Sequence, residues 1–483
     1  MSVQRRVGAL LAPAVFLLFL ILPLEGLTPQ AHSLAAVLAA VVVLWVTEAL
    51  PLPVTALLGA SACVVLQVAP AKDVFAPFAD PLMFLFIGAF ILARAIFIHG
   101  LDRRLAYAVL SLPWVAARPS RILLAFGAVT ALISWWISNT ATTAMMFGIA
   151  LSILAAMRES QSDPIDPRYP TALMLMTSFA ASIGGLATPV GTPPNVIGIG
   201  FIRSQLGVDI SFLKWMLIGV PAVLLLFGIL YVLLNSATPP TVRELPTGAA
   251  SIHPDRELLG PWTRGQRSVA LAFAVTVALW VIPGIVALAA GETSPVYRTL
   301  TQRLPEGVAA LLGAMLLFVL PGDEGRAISW KEAVQIDWGV VLLYGGGFAL
   351  GVLSFQTGLA ESLGRGLTGL LPIEGSFGLL TASVIAAVAL SETTSNTASA
   401  NMIVPVVIAI ARSAGLDPFE PALGATMAAS LGFMLPVSTP CNAIVYGSGL
   451  IPLGRMIRYG LVLDLAGIVV IVSLVRVLGP LLR

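Results

Sequence analysis

The tripeptide Ser-Asn-Thr occurs twice in this chain, at residues 138–140 and 395–397, each time at the centre of an apolar stretch of awkward length. No charged residue lies between Arg121 and Arg158, and residues 375–411 repeat the pattern around the polar centre Ser391 to Asn401. Each stretch is too long for one ordinary crossing. At ~1.5 Å per residue, each arm alone reaches ~25 Å, short of the ~30 Å apolar core of a bilayer. A helical hairpin that enters and leaves on one side, with its polar tip inside the membrane, fits both. A second polar island follows each hairpin: Gly191-Thr192-Pro193-Pro194-Asn195, then Ser438-Thr439-Pro440-Cys441-Asn442. Helix breakers at bilayer depth are tolerated only where they are buried in protein or line a cavity. Two matched pairs therefore point to one central site built from both halves.

Composition agrees with a membrane location. Of 483 residues, 58% are hydrophobic and 10% charged, against about 25% charged in a soluble domain. Further apolar runs fall at roughly 7–27, 34–50, 54–69, 80–100, 171–201, 212–234, 267–290, 305–320, 337–356, 421–449 and 458–480. The expected fold is an all-α, multi-pass membrane protein with about eleven transmembrane helices and two re-entrant hairpins. Arg5 and Arg6 before the apolar run 7–24 imitate a signal peptide. That run exceeds a typical signal core and no small-residue cleavage site follows, so it is read as a first transmembrane helix. The net charge of +2 forms no basic stripe, so a lipid bilayer is the expected partner and nucleic acid is not. Cys63 and Cys441 sit in apolar segments and imply no disulfide framework. The three histidines lack metal-ligand spacing.

The two halves repeat. Gly88-Ala89-Phe90 matches Gly346-Gly347-Phe348 and His99-Gly100-Leu101 matches Thr357-Gly358-Leu359, both 258 residues apart. The tripeptides are 257 apart, residues 51–60 resemble 305–314 at an offset of 254, and the second islands are 247 apart. The expected organisation is an N-terminal transmembrane helix (1–33), a first repeat (34–234), a cytoplasmic linker (235–266) and a second repeat (267–483). The first repeat holds scaffold helices 34–118, hairpin 121–158, broken helix 171–201 and helix 212–234. The second holds scaffold helices 267–356, hairpin 375–411, broken helix 421–449 and helix 458–480. With the N-terminus inside, Arg103, Arg104, Arg118, Arg121, Arg158, Arg168, Arg243, Arg256, Arg264, Arg267, Arg326, Lys331, Arg455 and Arg458 fall on the cytoplasmic side with Arg5 and Arg6, as the positive-inside rule prefers. The C-terminus then lies outside, the hairpins open to opposite sides, and the repeats are inverted. Inverted halves can exchange conformations, which suits alternating access.

The islands offer hydroxyls, amide oxygens and freed carbonyls, which are neutral hard-oxygen ligands suited to a small cation such as sodium. The returning arms, from Ala141 and Ala398, point unpaired N–H groups at each tip, where an anion can be held without arginine. No lysine or arginine lies near either motif. A buried dianion needs its charge balanced. Sodium is the obvious balance, and ions that share residues improve each other's affinity.

These paired motifs resemble the divalent anion/sodium symporter family, the sodium-dicarboxylate, citrate and sulfate carriers, across almost the whole chain from about residue 34. The resemblance implies a homodimeric elevator in a bacterial inner membrane, in which a transport domain slides against a fixed scaffold. It implies one sodium at Ser134, Ser138, Asn139 and the Gly191 carbonyl, and another at Ser391, Ser395, Asn396 and the Ser438 carbonyl. The substrate carboxylates would meet Asn139, Thr140, Asn396 and Thr397, with Thr192, Pro193, Thr439 and Pro440 close by. The spacing of four from Ser134 to Ser138, and from Ser391 to Ser395, places each pair on one helical face. Cys441 stands where a second proline is usual and Ser438 where a smaller residue is common. Neither change removes a backbone ligand, and Cys441 is expected to alter packing behind the site.

Other residues carry weaker signals. Glu392, an intramembrane carboxylate beside the second tip, is a proton-coupling candidate or a hydrogen-bond acceptor for hairpin backbone. Glu48 is expected at the membrane interface or in a helix contact, Arg94 against an acid or at cytoplasmic water, Trp135 and Trp136 in packing of the first tip, and residues 345–347 in close helix contact. No nucleotide-binding G-x-x-x-x-G-K-[ST] loop is present. No Asp pair, Ser–His pair or His-Glu metal motif of an intramembrane enzyme is read at bilayer depth. The expected function is sodium-coupled import of a small dianion, a C4-dicarboxylate such as succinate, malate or fumarate, with sodium co-transported and no organic cofactor. A sodium-independent dicarboxylate exchanger, or a citrate or sulfate carrier on the same fold, stays open.

Overall fold

The structure, a computed structural model, describes residues 3–116, 118–159, 168–237, 260–368 and 375–483. Among these, ten helices are long and apolar enough to cross a membrane, or eleven if Pro295–Arg303 and Glu306–Val319, bent by 57°, count as one. Two of the ten, Asn139–Met157 and Gly375–Thr393, are hairpin arms. Length alone therefore does not tell an arm from a span. The first hairpin is unequal: its leading arm Pro119–Ser134 has 16 residues and its returning arm Asn139–Glu159 has 21. At ~1.5 Å per residue the returning arm is ~31 Å long. The expectation that both arms fall short holds for the leading arm only. The second hairpin pairs Gly375–Thr393 with Asn396–Ser413. Most of the 235–266 linker lies outside the described residues; helix Phe212–Ala237 runs into its start, and a capping box at Thr263 opens helix Arg264–Ala290 at its end.

The halves interlock through their repeated motifs. A methyl group on Gly88 would stand 2.5 Å from the Ala310 carbonyl carbon, and one on Gly346 would stand 2.6 Å from the Ala56 methyl. Gly88 and Gly346 are matched positions, as are Ala56 and Ala310. Helix Pro81–Ile98 thus packs on Glu306–Val319 as Trp338–Gln356 packs on Leu52–Val65. Small residues allow this closeness. Gly345 meets the Phe78 ring and Gly347 meets Asn401, so the glycine triplet serves close packing.

Loop contacts sort into two faces. On one, Arg5 pairs with Glu48 at 3.5 Å, Arg94 donates to Gln335 at 2.5 Å, His99 Nε2 lies 2.7 Å from the Ala327 carbonyl, and Arg104 donates to the Gly260 carbonyl at 2.9 Å. Of the two expectations for Arg94, an acid partner or cytoplasmic water, the acid is not found among the described residues: its partner is the Gln335 amide on an exposed contact at this face. On the other, Arg203 pairs with Asp80 at 2.8 Å, Lys214 with Glu292 at 2.7 Å and Arg476 with Glu420 at 3.0 Å. The first hairpin opens to the former face, where Tyr169 of the following helix Arg168–Gly184 donates to the Pro119 carbonyl at 2.9 Å. The second opens to the latter, where Arg412 donates to the Gln205 carbonyl. Before each hairpin a spanning helix turns into an amphipathic one, Leu101–Leu110 or Leu359–Thr368, through Gly100 (φ 62°) and Gly358 (φ 81°). That left-handed backbone favours glycine.

Valine at Gly88 or Gly346 is expected to lower the thermal midpoint of the detergent-solubilised protein, at an overpacking cost of about 1–3 kcal/mol or more. Alanine at Gly228, which faces open space, should leave it unchanged. A Gly88 valine variant that melts like the parent would contradict the cross-packing.

Candidate functional site

Each hairpin tip is a short break between two helices. The Ser138 hydroxyl accepts from the Ala141 amide at 3.3 Å, and the Ser395 hydroxyl accepts from Ala398 at 3.2 Å. These serines cap the returning helices, the role small hydroxyl residues play at an N-terminus. One turn earlier, Ser134 donates to Asn139 Oδ1 at 2.8 Å and Ser391 donates to Asn396 Oδ1 at 2.9 Å. In both halves a fully buried hydroxyl and an amide oxygen thus stand close enough to touch one small cation. Asn139 packs on Gly185. Asn396 donates to the Ser430 carbonyl at 3.2 Å. Each tip therefore rests on the break of its own repeat's broken helix.

Those broken helices are Arg168–Gly184 with Pro193–Leu206, and Phe419–Ala428 with Pro440–Tyr446. Asn195 Nδ2 donates to the Gly185 and Thr188 carbonyls at 2.9 and 2.8 Å. Asn442 Nδ2 donates to the Gly432 and Leu435 carbonyls at 3.0 and 2.9 Å. The four carbonyl positions match at the 247-residue offset. Each asparagine satisfies two carbonyls that the break sets free. Gly191 is buried against Gly185, leaving no room for a side chain, and Ser438 donates from its hydroxyl to Glu392 Oε2 at 2.6 Å.

The two sites meet at the centre. Ser178 donates to Asn442 Oδ1 at 2.6 Å, and Phe179 meets Phe433 edge to face at 5.1 Å. Cys441 lies against Thr140, Thr143 and Ser182. It was expected to alter packing behind the site; its contacts lie in the first hairpin and the first broken helix. The expected residues also separate by exposure. Ser134, Gly191, Ser391 and Ser438 are buried, whereas Asn139, Asn396, Thr397 and Pro193 are half-buried and Thr140 and Pro440 are exposed. Thr192 and Thr439 are buried, and the Thr439 hydroxyl is committed to the Asn442 amide at 3.1 Å. Thr142 and Ser399, matched in the returning arms, keep buried hydroxyls without partners, as groups that a bound ion or water satisfies do. Trp136 packs the first tip on the neighbouring helices, stacked on Phe212 with ring centroids 6.1 Å apart and edge-on to Phe273 at 5.1 Å. Reading the sequence assigned no role to Asn195, Asn442 or Ser178. Asn195 and Asn442 did carry a signal, as amides closing both Pro-containing islands.

An inverted pair of broken-helix hairpins with oxygen-lined tips at the centre of a multi-pass bundle defines a membrane transporter. Residues 4–483 match the family described as the sodium:sulfate symporter transmembrane region, and the chain belongs to that family. It is 34% identical to the sodium-dependent dicarboxylate transporter SdcS of Staphylococcus saprophyticus, over 99% of this chain and 92% of that protein. It is 32% identical to the SdcS of Staphylococcus aureus strain bovine RF122 over the same shares. The crystal structure of the Alcanivorax borkumensis YdaH transporter, described as having an unusual topology, is similar with a TM-score of 0.56 at 15% identity, over 99% of this chain and 98% of that one. That likeness concerns the fold alone.

Replacing Asn195 or Asn442 by alanine leaves two buried carbonyls unpaired, at about 1–3 kcal/mol each. Aspartate keeps the size but loses both donors, so it should destabilise as much. The thermal midpoint in detergent checks this, and an unchanged midpoint for the aspartate variants would contradict the pinning role.

Proposed function

We propose that this chain imports a small dianion, a C4-dicarboxylate such as succinate, malate or fumarate, together with sodium. The observation that carries the reading is the layering of each tip. The buried Ser134 and Ser391 hydroxyls form an inner floor suited to sodium, the half-buried Ser138, Asn139, Ser395 and Asn396 stand above them, and Thr140 and Thr397 form the outer rim suited to a carboxylate. Sodium one would engage Ser134, Ser138, Asn139 and the Gly191 carbonyl, and sodium two Ser391, Ser395, Asn396 and the Ser438 carbonyl. The Ser138 and Ser395 hydroxyls can cap a helix and still present a lone pair to a cation. The carboxylates would meet Asn139, Thr140, Asn396 and Thr397, beside Thr192, Pro193, Thr439 and Pro440. The returning helices Asn139–Glu159 and Asn396–Ser413 would direct their positive ends at the anion. The similarity to sodium-dependent dicarboxylate transporters of staphylococci supports sodium and dicarboxylate as cargo.

In this reading both hairpins and both broken helices form a transport domain. It moves as a body against a scaffold that includes the cross-packed helices Leu52–Val65, Pro81–Ile98, Glu306–Val319 and Trp338–Gln356, in a homodimer. The N-terminus faces the cytoplasm and the C-terminus the outside of a bacterial inner membrane, since most loop arginines then lie inside. Each shared asparagine couples cation to anion, so neither ion binds well alone.

A ligand that binds only the folded state raises its melting temperature. Succinate is expected to stabilise the purified protein only when sodium is present. Alanine at Asn139 or Asn396 should abolish that stabilisation while leaving a cooperative melt. Sodium-dependent stabilisation of both variants by succinate would sink the assignment.

A further inference from the structure

Helix Phe212–Ala237 is tied to the first broken helix. Its Trp215 donates to the Leu186 carbonyl at 3.0 Å, and a methyl group on its Gly219 would stand 2.5 Å from that same oxygen. It therefore travels with the transport domain. On the face to which the second hairpin opens, this body meets the scaffold at three polar points. Arg203, in the last turn of helix Pro193–Leu206, donates to Asp80 Oδ1 and Oδ2 at 2.8 and 2.9 Å. Asp80 heads scaffold helix Pro81–Ile98, where it also accepts from the Leu82 amide at 2.8 Å and the Tyr344 hydroxyl at 3.3 Å. Lys214 pairs at 2.7 Å with Glu292, in the turn that follows helix Arg264–Ala290. Glu306, the first residue of scaffold helix Glu306–Val319, accepts from the Phe212 amide and so caps a helix of the other body.

Charge-assisted bonds of this kind are short and directional. The Asp80 and Arg203 side chains are 15% and 31% exposed, so solvent screens them less than a surface pair. A slide of a few ångströms along the membrane normal would break all three contacts, because a hydrogen bond is lost beyond about 3.5 Å. On the opposite face a cavity of about 650 Å³ separates Leu132, Ile133 and Trp136 of the first hairpin from Ile96, Leu101 and Phe273 of the scaffold. The transport domain is thus fastened on one face and parted on the other. The Glu306 contact has no polar counterpart in the repeat. Helices Leu52–Val65 and Glu306–Val319 start 254 residues apart. Helices Phe212–Ala237 and Leu453–Leu478 start 241 apart, an offset that also carries Gly219 onto Gly460. Leu52 therefore stands for Glu306 and Leu453 for Phe212. Closing the opposite face by the same movement would set leucine on leucine.

We propose that the Asp80–Arg203, Glu292–Lys214 and Glu306–Phe212 contacts form a polar latch. It holds the transport domain against the scaffold on the face to which the second hairpin opens, and it must part before the site reaches that face. The latch makes this state the resting one, and weakening it raises the share of the other. The proposal rests on the reading that the hairpins and broken helices move as one body.

Spin labels on the second hairpin, through Ala414→Cys, and on the scaffold, through Gln302→Cys, read the distance across the latch by pulsed electron resonance. Both positions are exposed, the native Cys63 and Cys441 are buried, and the parent chain gives the blank. In liposomes without succinate or sodium, one distance should dominate; with both on each side of the bilayer, a second should appear. Without cargo, Arg203→Gln, Lys214→Glu and Glu292→Lys should each raise the share of the second distance several-fold. Lys214→Glu combined with Glu292→Lys should return it to the wild-type share, which a merely damaged fold would not do. A second distance that appears with cargo but keeps its wild-type share in all three variants would overturn the latch and leave the moving body standing. One unchanged distance in wild type and variants under every condition would overturn the moving body, and the latch with it.

Discussion

A helix broken inside a bilayer exposes carbonyl and amide groups that lipid cannot satisfy. The centre of this protein depends on how that demand is met. Asn195 and Asn442 each hold two of the freed carbonyls, and the Ser138 and Ser395 hydroxyls cap the returning hairpin helices. With the backbone satisfied internally, Ser134, Asn139, Ser391 and Asn396 are left as polar groups in fixed positions. The same devices that make the breaks affordable thus prepare the ligands. The tips need no arginine, because helix ends and neutral oxygens supply the electrostatics.

Duplication explains why there are two such tips and why they meet. Equivalent helices cross-pack through Gly88 with Ala310 and Gly346 with Ala56, which joins the halves in the scaffold. Ser178 with Asn442, and Cys441 with Thr140, join them at the centre. The halves have also diverged. Where the first has Trp135, Gly191 and Val223, the second has Glu392, Ser438 and Asp464. Sites built on matched helix breaks therefore differ in polarity and charge.

Much of this was legible from residue order. Ser-Asn-Thr in the middle of a charge-free stretch conflicts with a simple span, and that conflict exposed both hairpins. The repeated glycine motifs marked the duplication, and residues 345–347 were expected in close helix contact, but the pairing of Gly88 with Ala310 and of Gly346 with Ala56 joins segments too far apart in the chain to be read from it. Helix ends were less legible. The returning arm Asn139–Glu159 outruns its estimate because it stays helical beyond the charge-free stretch, through Arg158. The bent pair before Val319 escaped because Pro295–Arg303 is polar and amphipathic. Arg203 did carry a signal, a charge at the end of an apolar run, but its partner Asp80 comes 123 residues earlier in the chain. The partners of Cys441 were hidden for a similar reason, since its contacts belong to the other repeat.

The central claim is that both tips couple sodium to a dianion. Labelled succinate uptake into proteoliposomes of the purified protein, empty or preloaded with succinate, with and without an inward sodium gradient, tests it most directly. The account predicts concentrative uptake into empty vesicles only when the sodium gradient is present. Uptake confined to preloaded vesicles and indifferent to sodium would contradict it, and would make the protein an exchanger whose buried oxygens hold no sodium.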